Sequence, residues 1–310
     1  MKSLPRVVVA ALLLAAPAAS RAQTIADLPD DKFKLVVDKT AIYTKALNAA
    51  RTVQKAYDKY ASWVDMKTGP TGKEKAIASG LPDISGAVQD IDAAAKSGPG
   101  MWPPLPNVDA AVQKLADSIN AVAPAAKSAS EYYSQGQYKK DSAKQGQALH
   151  AELAPKFEQF FASELALRRE LGAVREDVER RYLAQIEKEH GKDYEWHLRS
   201  VLIAARTVAD LLPNHVDAAM IEGARFKSRF GALQAAYTAF AQYCLEHPAE
   251  AQKNILATSV DDFLAATRIL RGVLDAPKPD RQVYITKVSD LAAKYDVLVE
   301  RTSPTTTASR

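Results

Sequence analysis

Phe226-Lys-Ser-Arg-Phe230-Gly-Ala-Leu233-Gln-Ala-Ala-Tyr237-Thr-Ala-Phe240-Ala-Gln-Tyr-Cys244 is the stretch that decides the fold. Its large apolar residues and terminal cysteine step by 4, 3, 4, 3 and 4 positions. On a helix of 3.6 residues per turn, that spacing lines one face with a continuous seam for a nearly parallel neighbour. A strand would instead alternate with a period of 2, and nothing here does.

The same rhythm recurs on both sides. Tyr43, Ala46, Ala50, Val53, Tyr57, Tyr60 and Val64 predict a first helix over 34–65. Short helical stripes follow around Ile84 to Ala95 and from Val108 to Val122, where Pro124 is expected to kink or interrupt the helix. Leu153, Phe157, Phe160, Leu167, Leu171, Val174 and Val178 mark the longest helix, from near Asp141 to about His190, with Gly191 as its stop and Pro155 as a bend. Further helices carry Leu198 to Leu212, the opening stretch, Phe263 to Val273 with Ser259 as cap, and Tyr284 to Leu298. Short connections and a period near 3.5 predict an all-α fold. Its expected form is an elongated up-and-down antiparallel helical bundle with coiled-coil-like packing.

The chain is expected to divide into a signal peptide (1–22), a flexible segment (23–33), a helical bundle domain (34–301) and a disordered tail (302–310). Lys2 and Arg6 precede the apolar run Val7 to Ala19, and Ser20-Arg21-Ala22 offers a small-x-small cleavage site, so export with cleavage after Ala22 is expected. The apolar run holds Pro17 and falls short of the roughly 20 residues that span a bilayer, so no stable membrane insertion is expected after cleavage. Cys244 is the single cysteine, which leaves no intrachain disulfide and no lipidation cysteine behind the leader. Removing Lys2, Arg6 and Arg21 takes the formal charge from +4 to +1. Interleaved charges at that balance argue against a nucleic-acid partner.

Local motifs give little chemistry. Thr68-Gly-Pro-Thr-Gly-Lys73-Glu74 imitates a phosphate loop, but Lys67 sits at the first glycine position, Glu74 replaces the metal-binding hydroxyl, and a helix precedes it. Glu187, His190 and His197 are the candidate metal ligands, since continuous helix would place them on nearly one face. Di-iron bundles need a second Glu-x-x-His pair, which is missing, and Gly191 lies between the two histidines. Cys244 and His247 form a partial metal motif without further ligands nearby, and a seam cysteine reads as a small core residue. Glu164 fills the seam slot between Phe160 and Leu167; it either snorkels outward or meets a basic residue or ligand inside the bundle. Trp63 and the loop around Trp102 are the candidate surface contacts. No cofactor is expected, and no catalytic motif is present.

Two blocks carry a family resemblance: Glu131-Tyr-Tyr-Ser-Gln-Gly-Gln-Tyr138-Lys-Lys-Asp141 leading to Gly146-Gln-Ala-Leu-His150, and Asp262-Phe-Leu-Ala-Ala-Thr-Arg-Ile-Leu-Arg271. With the first and last helices they resemble the YiiG-like family of bacterial envelope proteins over roughly residues 35 to 300. The resemblance implies an all-helical exported protein of unestablished role and supplies no active-site residues. Many members look like lipoproteins, from which this chain departs. Together these readings point to a periplasmic or secreted non-enzymatic binding or scaffold protein whose partner is a protein or envelope component. The alternative is a metal-handling or enzymatic bundle using its Glu and His residues.

Overall fold

A computed structural model describes residues 25–75, 77, 80–215, 218–251 and 257–302. The expected leader (1–22), and the expected tail beyond Thr302, lie outside the described residues. Among those residues there are ten α-helices and no strand: α1 (Asp30–Ala61), α2 (Ser85–Ser97), α3 (Pro106–Ser134), α4 (Tyr138–Asp141), α5 (Lys144–His190), α6 (Tyr194–Ala209), α7 (Gly223–Glu246), α8 (Pro248–Ala251), α9 (Ala257–Leu274) and α10 (Arg281–Thr302). The fold is all-α. None of these helices is long and apolar enough to cross a membrane.

The apolar seams set the layout. Tyr43, Val53, Tyr57 and Tyr60 of α1 pack with Ile91 of α2, Leu115 and Ile119 of α3, and Phe157, Phe160 and Leu167 of α5 in a first buried core. Consecutive helices run up and down in it, since Leu81 just before α2 meets Ser130 near the end of α3, and Tyr133 at the end of α3 meets Gly146 at the start of α5. A second, separate core joins Val201 and Val208 of α6, Phe226 and Phe230 of α7, Phe263 and Leu270 of α9, and Tyr284 and Leu291 of α10. Helix α5 runs past both, its 47 residues reaching about 70 Å at ~1.5 Å per residue, and it meets the second bundle through the ion pairs of Glu179 with Arg206 and Glu176 with Arg229 rather than through that bundle's core. Its first half closes the first bundle, and its second half carries α6.

Several boundaries differ from expectation for visible reasons. Helix α1 begins at Asp30, inside the segment expected to be flexible. Asp30 and Asp31 suit the positive end of the helix, and Phe33 and Val36 bury against Val178 of α5. Arg181 of α5 ties the preceding turn down by donating to the carbonyls of Ile25 and Leu28 and to Asp30. The helix ends at Ala61 rather than Asp65, because Asp65 turns the chain by accepting from the amides of Lys67 and Thr68 at 2.9 and 3.0 Å. Pro124 does not interrupt α3. It sits on the solvent side, while Val122, Ala125 and Ala126 on the opposite face stay buried and hold the helix together. Ser259 is not the cap of α9: it lies inside the first turn, buried, and its hydroxyl accepts from Arg301 at 2.8 Å.

Candidate functional site

Polar residues placed in the seams are the most unusual feature of the interior. Glu164 is 4 % exposed. Arg168, one turn on, donates to its Oε1 at 3.0 and 2.5 Å, and Asn214 donates to its Oε2 at 2.6 Å. The same two residues reach the carbonyls of Leu212 and Phe161. The carboxylate therefore meets a basic residue inside the protein rather than snorkelling outward, and Leu165 is the side chain left in solvent. Burial of this charge is offset by full hydrogen bonding across the joint between the two bundles. Arg206 of α6 extends the joint, gripping Glu179 of α5 at 2.9 and 2.5 Å and Asp210 at 2.6 Å.

At the far end of the first bundle, Lys39 is fully buried. Its ammonium donates to the carbonyls of Met101 and Pro103 at 3.1 and 2.8 Å and pairs with Asp109. Lys39 reaches both oxygens of that carboxylate, and Tyr43 donates to its Oδ1. Burial, then the bond to Asp109, pushes the Tyr43 phenol far above its ordinary value. All the strong groups here are occupied, so this is a lock holding the loop of Trp102 onto α1. Trp102 itself is 39 % exposed, with the Lys32 ammonium 5.2 Å from its ring centre.

The opposite end of the same bundle is an aromatic corner built from the block that carries the family resemblance. Tyr132 donates to Asp141 at 2.8 Å, and Asp141 caps α5 by accepting from the Gln145 amide at 2.9 Å. Tyr60 and His150 Nδ1 lie 3.1 Å apart. Burial lowers the His150 pKa and raises that of Tyr60 far above the ordinary phenol range. Tyr133 is buried beside Tyr60, and after burial its neighbouring phenol is the next cause that raises Tyr60. Burial pushes Tyr133 up to about 12. Gly146 is required here, because a Cβ at that position would lie 2.8 Å from the Tyr133 hydroxyl. Trp63 is half-buried in this corner, edge-on to Tyr60 and Tyr133 at 5.4 and 4.8 Å between ring centres.

Beside the corner, α2 and α3 diverge around an open groove of about 620 Å³. Leu81, Ile84, Val88, Ala123 and Ala126 make it apolar, with Lys127 and Glu131 at the rim. Ser130 pins its edge by exchanging hydrogen bonds with the Leu81 amide and carbonyl at 3.2 and 3.1 Å. Only glycine fits at position 80, where φ is +87° and a Cβ would lie 2.7 Å from the Ser130 hydroxyl. Pro124, on the groove wall, has no amide hydrogen for the Asn120 carbonyl, which leaves an acceptor there without its helical donor.

The remaining sequence candidates are scattered. Glu187 pairs with Lys192 at 3.6 Å, His190 faces Glu189 at 3.9 Å, and His197 packs between Trp196 and Tyr243. Gly191, at a φ of +75°, ends α5 between the two histidines. Among the described residues no set of three His, Cys, Asp or Glu is arranged to hold a metal ion. Glu74 folds back on Thr71, accepting from its amide and hydroxyl at 2.5 and 2.8 Å, so the loop that imitates a phosphate site is closed by its own carboxylate. The Cys244 thiol is raised by burial and then by Glu250, the reverse of nucleophile activation. Lys39, His150, Arg206 and Asn214 were not singled out by sequence. Lys39 and His150 do continue the seam spacing through Val36, Lys39, Tyr43 and through Gly146, His150, Leu153, which is the signal that finds them.

Residues 34–275 match a family model described as protein of unknown function, DUF3829. A relative is the uncharacterized protein YiiG of Escherichia coli strain K12, 28 % identical over 203 residues. That similarity covers 64 % of this chain and 57 % of the relative's length. No solved structure matches the chain.

Proposed function

This chain belongs to the DUF3829 family of proteins of unknown function, and from that premise we propose that it is an exported, non-enzymatic binding protein of the bacterial cell envelope. Its partner is a protein or envelope component that presents an extended or helical segment to the α2/α3 groove. The observation that carries this reading is the groove itself: an apolar floor large enough for several side chains, beside an acceptor carbonyl on the wall at Pro124. The reactive groups elsewhere favour binding over chemistry, since Glu164, Lys39 and Glu74 are each tied into hydrogen bonds. Export rests on the leader-like composition of residues 1–22.

A photoreactive residue at Ala123, on the groove wall, is expected to form a discrete adduct in native cells, lost when Val88→Asp puts a charge on the floor. The same probe at Arg169, on the solvent face of α5, is expected to form none. Equal labelling at both positions, or an adduct indifferent to Val88→Asp, would overturn the reading.

A further inference from the structure

Helix α10 carries two seams. The inner one, Tyr284, Val288, Leu291, Tyr295 and Leu298, packs into the second core. The outer one, Val283, Lys287, Asp290, Lys294 and Val297, has the same spacing of 4, 3, 4 and 3 and faces solvent. Val283 and Val297 are 45 % and 40 % exposed, and Ile269 on α9, which lines a valley with Lys287, is 52 % exposed. Between α9 and α10 runs a valley of about 310 Å³ whose small residues Ala265, Ala266 and Ala293 let another helix approach closely.

We infer that this face is the contact between two copies of this chain, related by a two-fold axis parallel to α9 and α10. The charges select the occupant. Lys294 pairs with Asp262 across the hairpin at 2.8 Å, so the two stand at the same height on neighbouring helices. Rotation about an axis parallel to the helices keeps heights and swaps helices, which lays α9 of one copy on α10 of the other. Asp262 of each copy then meets Lys294 of its mate, and Ile269 lies over the aliphatic stem of Lys287 on the facing helix. The face has two acidic and two basic residues, Asp262, Asp290, Lys287 and Lys294, so it is neutral and complementary to itself, as an isologous interface requires. A nucleic acid or an anionic lipid surface would need a basic excess that this face lacks.

Size sets the strength. With 18 and 22 residues, the two helices are about 27 and 33 Å long at ~1.5 Å per residue. Side by side about 10 Å apart, they offer roughly 500 Å² per copy, or about 1,000 Å² in all, at the low end for a specific interface. The dimer is therefore reversible and dependent on concentration.

Sedimentation equilibrium of the full mature chain over a dilution series tests this. The expected result is a shift from one chain mass to two as concentration rises, abolished by Ile269→Asp with helicity unchanged, and kept by Leu245→Asp at an exposed site elsewhere. Asp262→Lys alone should weaken association, and Asp262→Lys with Lys294→Asp should restore it. A wild-type chain that stays at one mass up to its solubility limit would overturn the inference. So would dimers that survive Ile269→Asp, or a double reversal no better than the single one.

Discussion

The two bundles, one closed by α5 and the other held to it by α6, differ in how their ends are closed. The first has nearly twice as many buried apolar side chains among the described residues, and each end is fastened by a polar lock: Lys39 with Asp109 and Tyr43 at one end, the Tyr132, Tyr60 and His150 corner at the other. The second has half-buried seam aromatics at Tyr237 and Tyr295 and leaves Leu245, Ile269, Val283 and Val297 in solvent. Buried area scales with stability, and an interior lysine must keep all its partners to remain buried. The first bundle should therefore be the rigid unit and the second the labile one. Between them the joint is largely ionic, through Glu164, Arg168 and Asn214, with Arg206 and Glu179 beside them and the His215 ring stacked on Phe161 as its aromatic contact. Such a joint transmits little hydrophobic cooperativity, so each bundle can open on its own.

The strongest way to break that comparison is to damage one core and watch the other. Phe157 is fully buried in the first core, edge-on to Tyr57 with ring centres 5.2 Å apart. Phe157→Ala should cost about 3–5 kcal/mol, seen as faster amide exchange through α1, α2 and α3 while α9 and α10 keep near wild-type rates. Uniform acceleration across both bundles would mean a single cooperative unit. Glu164→Leu removes the acceptor of Arg168 and Asn214 at the joint and should cost about 1–3 kcal/mol, lowering the melting temperature of both bundles. A gain in melting temperature would show that the buried carboxylate is a burden the fold tolerates.

Acid should separate the bundles further. His150 is held below the ordinary histidine value, so on acidification the unfolded chain takes up a proton that the folded ring refuses. The stability this supplies is present above the unfolded value and declines as the pH falls below it. His150→Gln should flatten the acid side of the first bundle's melting profile, and an unchanged profile would remove His150 from the account. His197 is lowered too, by burial and then by Lys192, so the second bundle keeps an acid sensitivity of its own in that variant. The smallest effect belongs to Arg51, whose ion pair with Asp296 links α1 to α10 at the surface. Arg51→Ala should cost under about 1 kcal/mol and less still in high salt. A larger loss, insensitive to salt, would make that contact part of the joint's core.

Helices and their buried faces were readable because a 3-4 repeat has one packing solution: the seams of α1, α3 and α7 are where the spacing puts them. What the spacing could not report is where one core stops and the next begins, since the α5 seam runs on through Val174 and Val178 past the first core without entering the second. Nor did it foresee that α3 would run through Pro124, because that depends on which face the proline takes. The polar nodes were half legible. Glu164, Lys39 and His150 interrupt apolar seams, and an ionisable residue in a seam slot asks for a partner. Arg168 and Asn214, the partners of Glu164, and Asp109, the partner of Lys39, come from loops or off-seam positions, where sequence periodicity carries no information. The groove was invisible for the same reason: it is a gap between two helices whose individual patterns are ordinary.

Two tryptophans report separately on the two units, Trp63 in the aromatic corner of the first bundle and Trp196 on α6 of the second, against His197. The most direct measurement is denaturant unfolding of two single-tryptophan variants, one keeping Trp63 and the other Trp196, followed by fluorescence. Separate cores on one rod predict two distinct midpoints, with Trp196 responding at the lower denaturant concentration. Superimposable curves with a common midpoint and slope would contradict it.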